Sequence, residues 1–302
     1  MLSGEDLRRR AAALDGSVVV CGIGGDAGVP PGRFPGARTA TIGELLGEGG
    51  SGDADDHDAI EPDAVAAVLV VVGSSLEADR VHDALDELGA LDAFIVAVAP
   101  AGVAPESLAA VRRRVDATLL AGEGGPVEAI RTFLEAVQRP GFVNLDLADA
   151  RTALSIGIAA VGIGTAGTDG SPTADRDAPA LAVDEAFDRL PEGVDPADAS
   201  AALVDVVVDP ETSIAAATDA IAAVRERIDA DANVIWGGAV DESVEDEIGV
   251  RVVVADVEYA PPLAGGDPCP RCGNPLSTYA FGARETLSCD GCGYSGVAVR
   301  RG

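Results

Sequence analysis

The feature that most limits the fold of this chain is a series of short apolar runs separated by stretches with helical periodicity. Residues 17–21 (SVVVC), 67–72 (AVLVVV), 93–98 (AFIVAV), 116–120 and 158–163 each read as a strand bounded by turn formers. Between them Val81, Ala84, Leu85 and Leu88 recur at helical spacing, as do Val127, Ile130, Phe133, Leu134 and Val137. A further helix is expected from about Pro105 to Arg114. Downstream, strands are expected at 203–208, 233–240 and 249–256. Helices are expected over 180–190, with Leu181, Val183, Phe187 and Leu190 mostly inward, and over 213–229, striped by Ile214, Ile221, Val224 and Ile228. Residues 165–178 read as a polar loop. Strand–helix alternation followed by a strand-rich second part predicts a two-layer α/β body with a smaller α+β domain.

A different chemistry begins after the linker marked by Pro261-Pro262 and Gly265-Gly266. Cys269 and Cys272 (CPRC) are separated by sixteen residues from Cys289 and Cys292 (CDGC). Two such turns on adjacent hairpins bring four soft donors to one point, as tetrahedral zinc requires at about 2.3 Å. Gly273 and Gly293 each follow a pair and suit the sharp turn. Four thiolates leave no open coordination position, so the expected zinc is structural. This segment looks like a zinc ribbon. The fifth cysteine, Cys21, is simplest as a buried apolar residue. His57 and His82 lack ligand spacing, and Trp236 is expected in the core.

The net charge of −30 comes from 51 acids against 21 bases, all arginine. The acids recur throughout, with a solvated Gly/Asp/Glu loop at 43–63, which excludes a single acidic tail. Such a surface suits a cytoplasm of high salt, where self-repulsion is screened. From Gly265 onward three acids stand against four arginines (Arg271, Arg284, Arg300 and Arg301), formally +1, leaving −31 on residues 1–264. Nucleic acid is therefore a poor partner for residues 1–264, and it is open but not favoured for the ribbon. The longest apolar run, 64–72, falls short of the ~20 residues of a membrane span. The arginines at 8–10 precede too short an apolar stretch for a signal peptide.

One loop stands apart from this α/β pattern. The helix over 127–138 stops at Pro140-Gly141, and Arg139–Leu154 then reads RPGFVNLDLADARTAL. Asp146 can cap the helix that follows, with Asp149 near its positive end. Capping accounts for both aspartates, yet it does not account for the loop's sequence. That sequence resembles the FtsZ family of tubulin-like proteins, in which Arg-Pro-Gly leads into Asn-x-Asp-x-x-Asp, the loop one subunit inserts into the nucleotide site of the next. ANVIWGGAVDESVEDEIGVRVVVADV (232–257) is similar to the last two strands of the same family.

The resemblance implies a fold: a Rossmann-like, tubulin-type nucleotide-binding-domain remnant over 1–140, an α+β FtsZ-type C-terminal domain over 141–260, and linker and zinc ribbon over 261–302. It implies a catalytic role for Asn144, Asp146 and Asp149, which would orient and polarise the attacking water. It places the first nucleotide loop at Gly22, Gly24 and Gly25, a turn that needs glycine for backbone geometry in any case. Three departures bear on GTP. The helix after that turn is replaced by DAGVPPGRFPG, and the signature loop after 67–72 is replaced by Gly73-Ser74-Ser75-Leu76-Glu77, where Glu77 and Asp79 would repel phosphate. The base-holding segment before residue 127 is reduced to AGEGG. The expectation is a non-catalytic FtsZ-like protein that docks on FtsZ-type subunits, supplies carboxylates in trans, and does not hydrolyse GTP in its own pocket. One alternative is a divergent self-polymerising GTPase. Another is a scaffold whose ribbon binds protein or nucleic acid.

Overall fold

The structure, a computed structural model, describes residues 17–297 apart from 24–26, 35, 47–59, 61, 74–77, 104, 123, 156, 168–173, 243, 245–246, 261–262, 270 and 282–283. Its strands are β1 Ser17–Ile23, β2 Ala37–Thr39, β3 Val65–Val72, β4 Phe94–Pro100, β5 Ala117–Ala121, β6 Ile158–Gly167, β7 Val194–Asp195, β8 Ala201–Val208, β9 Asn233–Val240, β10 Glu247–Ala255 and β11 Glu258–Tyr259. Its helices are α1 Ile42–Leu45, α2 Ala78–Leu88, α3 Pro105–Arg112, α4 Gly125–Gln138, α5 Leu147–Leu154, α6 Ala174–Asp188 and α7 Ile214–Arg225.

Nine strands form one sheet in the order β2-β1-β3-β4-β5-β6-β10-β8-β9, with β10 antiparallel to both of its neighbours and the other pairings parallel. Every residue of β3 and β8 is buried, so these valine-rich strands must be covered on both faces. Helices do lie on both faces, making three layers rather than the two expected. On one face α4 and α5 bring Ile130, Phe133, Leu134, Ala150 and Leu154 against Val20, Leu69, Val96, Leu119 and Val253. On the other, Leu45, Leu85 and Leu88 cover Val19, Val68 and Ile95, while Val183, Ala186 and Val224 cover Val204, Val206 and Val252.

The connection carrying α4 and α5 has unusual geometry. Strand β6 lies on the same side of β5 as β5 does of β4, yet α3 crosses over one face and α4–α5 over the other. The β5-to-β6 crossover therefore has the opposite hand to its predecessor, against the usual preference. The boundary expected near residue 140 falls inside this crossover, and the sheet continues across it through the Leu119↔Ala159 pairing. Chain contacts divide the molecule into Met1–Tyr259 and Ala260–Gly302. The second unit contains three antiparallel strands, β12 Ser277–Phe281, β13 Arg284–Ser288 and β14 Ser295–Val297. Among the described residues no helix is long and apolar enough to cross a membrane.

Two sequence expectations need correcting. The stretch 165–178 is not all loop: β6 reaches Gly167 because Thr165 and Gly167 pair with Gly249 and Glu247, and α6 starts at Ala174. Leu181 and Ile214 do not face inward, being 56% and 60% exposed. A Cβ on Gly162 would stand 2.0 Å from the Ala186 carbonyl oxygen, and one on Gly164 2.1 Å from that of Ala182. The α6 backbone thus rests directly on β6, so small Ala178, Ala182 and Ala186 fill the contact and Leu181 is turned outward. Ile214 is the first residue of α7, and Ala217, Ala220, Ile221 and Val224 carry its buried stripe.

Candidate functional site

The loop 139–146 leaves the end of α4 and runs along the outer side of β9. The N–H of Val143 donates to the Gly238 carbonyl at 3.2 Å, and Gly238 returns a bond of 2.9 Å. This approach is possible because Gly141 and Gly238 carry no side chain. A Cβ on Gly141 would lie 2.1 Å from the Gly238 carbonyl oxygen, and a Cβ on Gly238 would lie 2.4 Å from the Phe142 ring. Thus PG in the loop and GG in WGGAV are two halves of one contact.

The three loop residues singled out in the sequence stand together. Asn144 Oδ1 accepts from the Gly141 N–H at 2.7 Å, closing the turn. Asp146 is the N-cap of α5, its Oδ1 accepting from Ala148 and Asp149 at 2.8 and 2.9 Å. Asp149 Oδ2 accepts from the Asp146 N–H at 3.1 Å, completing a capping box. Capping uses one oxygen of each carboxylate. Asp146 Oδ2 and Asp149 Oδ1 accept no hydrogen bond among the described residues. Desolvation pushes the Asp149 carboxyl above its ordinary value, the Asp146 N–H opposing this and the Asp146 charge and its side-chain hydrogen bond to Asp149 adding to it.

Behind the loop lies a charge network that helical and strand periodicity did not reveal. Arg139 pairs with Asp241 just past β9 and approaches Glu135 on α4 at 3.9 Å. Arg251 on β10 donates to the same Glu135 at 2.8 Å and to Asp205 on β8 at 3.1 Å. Burial raises the Asp205 pKa, while Arg251 and Arg139 draw it down. The available signal was a lone acid in LVDVVV and a lone base in GVRVVV, which the sheet register sets opposite each other.

The glycine turn is only partly described. Gly22 ends near the carboxyl edge of β1, and a Cβ there would meet the Ala27 carbonyl oxygen at 2.1 Å. Gly24, Gly25 and the 74–77 loop lie outside the described residues, as does the Asp79 side chain. Residues 27–34 carry no helix, and buried Phe34 packs into the core shared with α4. A cavity of about 330 Å³ remains beside Gly22, lined by Ala27, Val29, Thr39, Thr41 and Glu44.

In the second unit the four cysteines converge, their sulfurs all within 4.8 Å of one another. Cys269 and Cys292 sulfurs are 3.6 Å apart, and those of Cys272 and Cys289 3.4 Å. A tetrahedral M–S distance of about 2.3 Å implies S–S separations of about 3.8 Å, so the donor set fits a tetrahedral metal. The two turns are built alike. Gly273 and Gly293, at φ 77° and 72°, donate to the carbonyls of Cys269 and Cys289, while Cys269 and Cys289 donate to Asn274 and Tyr294. Desolvation raises the Cys269 thiol, but the N–H groups of Arg271 and Cys272 together with the Cys292 and Cys289 sulfurs outweigh that and bring it to about 7, while the neighbouring sulfurs and desolvation hold Cys272 and Cys292 above their ordinary value. Cys269 therefore favours the thiolate form that binds metal.

Comparison with known proteins agrees with this layout. Residues 157–258 match the FtsZ family, C-terminal domain, and residues 266–292 match the zinc finger found in FPG and IleRS. Cell division protein FtsZ 1 of Halobacterium salinarum is 35% identical over 133 residues, 44% of this chain and 32% of that protein. The match therefore spans about a third of that relative's length. Cell division protein FtsZ of Methanothermobacter thermautotrophicus is 26% identical over 268 residues, covering 84% of this chain and 60% of the relative. A mutant FtsZ from M. jannaschii superposes with a TM-score of 0.61 at 20% identity, covering 85% of this chain and 98% of the other. CetZ1 from Haloferax volcanii, a GDP-bound monomer, gives 0.51 at 16% identity, covering 66% and 67%. These two share the fold.

Proposed function

We propose that this chain, a divergent FtsZ-like protein carrying a zinc-ribbon segment, is a non-catalytic partner of FtsZ-type filaments in cell division or cytoskeletal regulation. It docks its loop edge on a nucleotide-bearing subunit, caps the filament, and presents Asp146 and Asp149 to the water that attacks the bound nucleotide. The observation that carries this reading is the pair of carboxylate oxygens, Asp146 Oδ2 and Asp149 Oδ1, left open by a loop otherwise fixed on β9. On the loop and on β9, Phe142 and Val240, 39% and 50% exposed, offer an apolar contact. An oxygen held still by its own cap needs little reorganisation to polarise a water, the condition under which a general base is effective.

The ribbon is assigned a structural zinc held by Cys269, Cys272, Cys289 and Cys292. That metal takes no part in hydrolysis, since four thiolates saturate it. The chain itself binds no GTP in this reading. The cavity beside Gly22 favours a second one, in which GTP enters this chain and it polymerises alone.

The two roles of Asp146 are separable. Serine caps a helix as well as aspartate but has no carboxylate. Asp146→Ser should keep the chain's stability and abolish any stimulation of an FtsZ-type partner's GTP hydrolysis in molar salt. Equal stimulation by the wild type and by Asp146→Ser, or no effect of the wild type on partner polymer length or turnover, contradicts the proposal.

A further inference from the structure

We infer that Arg139, with Glu135, Asp205, Asp241 and Arg251, is a positioning network for the loop; the inference rests on the in-trans reading above. The network ties together α4, the start of the loop, β8, the residue after β9 and β10, through Arg139–Asp241, Arg139–Glu135, Arg251–Glu135 and Arg251–Asp205. None of these five side chains bonds to Asp146 or Asp149. The network acts on the segment between them. Arg139 faces Asp241 just as Val143 faces Gly238, so 139–143 runs antiparallel to 238–241, anchored by charge at one end and by backbone bonds at the other.

The network is specific to arginine. Arg139 and Arg251 each reach two carboxylates, which a planar guanidinium can do and a point-charge ammonium does poorly. The Nε atoms of both are buried without a partner, so each guanidinium meets the acids through its terminal nitrogens alone. Asp205 is 4% exposed and cannot be neutralised by solvent salt as a surface acid is. In a chain whose surface is dominated by acids, two part-buried arginines among three carboxylates give the loop an anchor that salt screens less than it does a fully exposed pair.

The test uses the full chain with Arg139→Ala, Asp241→Asn and the charge-exchanged pair Arg139→Asp/Asp241→Arg. Hydrogen exchange at the Val143 and Gly238 amides reads the loop's seating without any partner. GTP hydrolysis by an FtsZ-type partner, titrated with each variant, reads its consequence. The network predicts faster exchange at both amides in the single variants, and maximal stimulation lowered about 10- to 100-fold, as an ångström-scale misplacement does. The half-saturating concentration should change by less than the stimulation does, because Val240, on β9 and outside the released 139–143 segment, keeps its part of the apolar contact. The exchanged pair should restore part of both signals. Unchanged exchange in Arg139→Ala and Asp241→Asn overturns the inference. So does a loss of half-saturation and stimulation together, which would mark an ordinary docking or folding defect. Faster exchange with no effect of the wild type on any partner leaves the anchor in place and removes the in-trans reading alone.

Discussion

The Asp205 carboxylate is enclosed in the sheet with the Arg251 guanidinium 3.1 Å away as its nearest countercharge. Removing Arg251 strands a buried anion, whereas removing the charge of Asp205 leaves Arg251 paired with Glu135. Arg251→Met should therefore cost about 3–5 kcal/mol and Asp205→Asn distinctly less, as read by denaturant melts in molar salt. Equal costs would contradict this arrangement.

Asp205 also fixes a direction for pH. Its folded pKa lies above the ordinary value of 3.8, so as pH falls from neutral toward that value the folded chain takes up this proton before the unfolded chain does. More protons bound in the native state mean that this group's contribution to stability rises as pH falls. Wild type should gain stability relative to Asp205→Asn between neutral pH and the ordinary carboxylate range. A relative loss over that window would reverse the assigned sign.

At the loop, Gly141 and Gly238 make the same contact with unequal tolerance. A methyl on Gly141 meets the Gly238 backbone at 2.1 Å, while one on Gly238 meets the far end of the half-exposed Phe142 ring. Gly141→Ala should destabilise by about 1–3 kcal/mol and Gly238→Ala by less, since the ring can swing into solvent. Thermal melts of the two variants decide the order.

Part of this was legible in the sequence. Short, valine-rich runs such as AVLVVV bounded by turn formers read as buried strand, and the spacing of Ile130, Phe133, Leu134 and Val137 gives the buried face of α4. The Asn-x-Asp-x-x-Asp stretch could be located because its residues are adjacent in the chain. The anchor behind it could not, since Glu135, Arg139, Asp205, Asp241 and Arg251 meet only when α4 is laid across β10 and β8. The outward turn of Leu181 was equally hidden, because it follows from glycines on β6 rather than from the helix's own period. Likewise the number of layers depends on which face each crossover takes, and periodicity does not encode that.

The cysteine unit should depend on its metal for its own turns. Its small core, Cys269, Leu276, Leu287 and Cys289, contains two of the metal donors. Chelation should release one zinc per chain, and the Gly273 and Gly293 amides should lose exchange protection while the melt of the body is unchanged. Retained protection after complete metal removal would show that the turns fold without it.

The central claim is tested most directly by equilibrium titration of the full chain with GTP in molar salt. The account predicts no saturable binding up to about 1 mM, with the Gly22 cavity left to solvent. A dissociation constant of about 1 μM would contradict it and establish a chain that holds its own nucleotide.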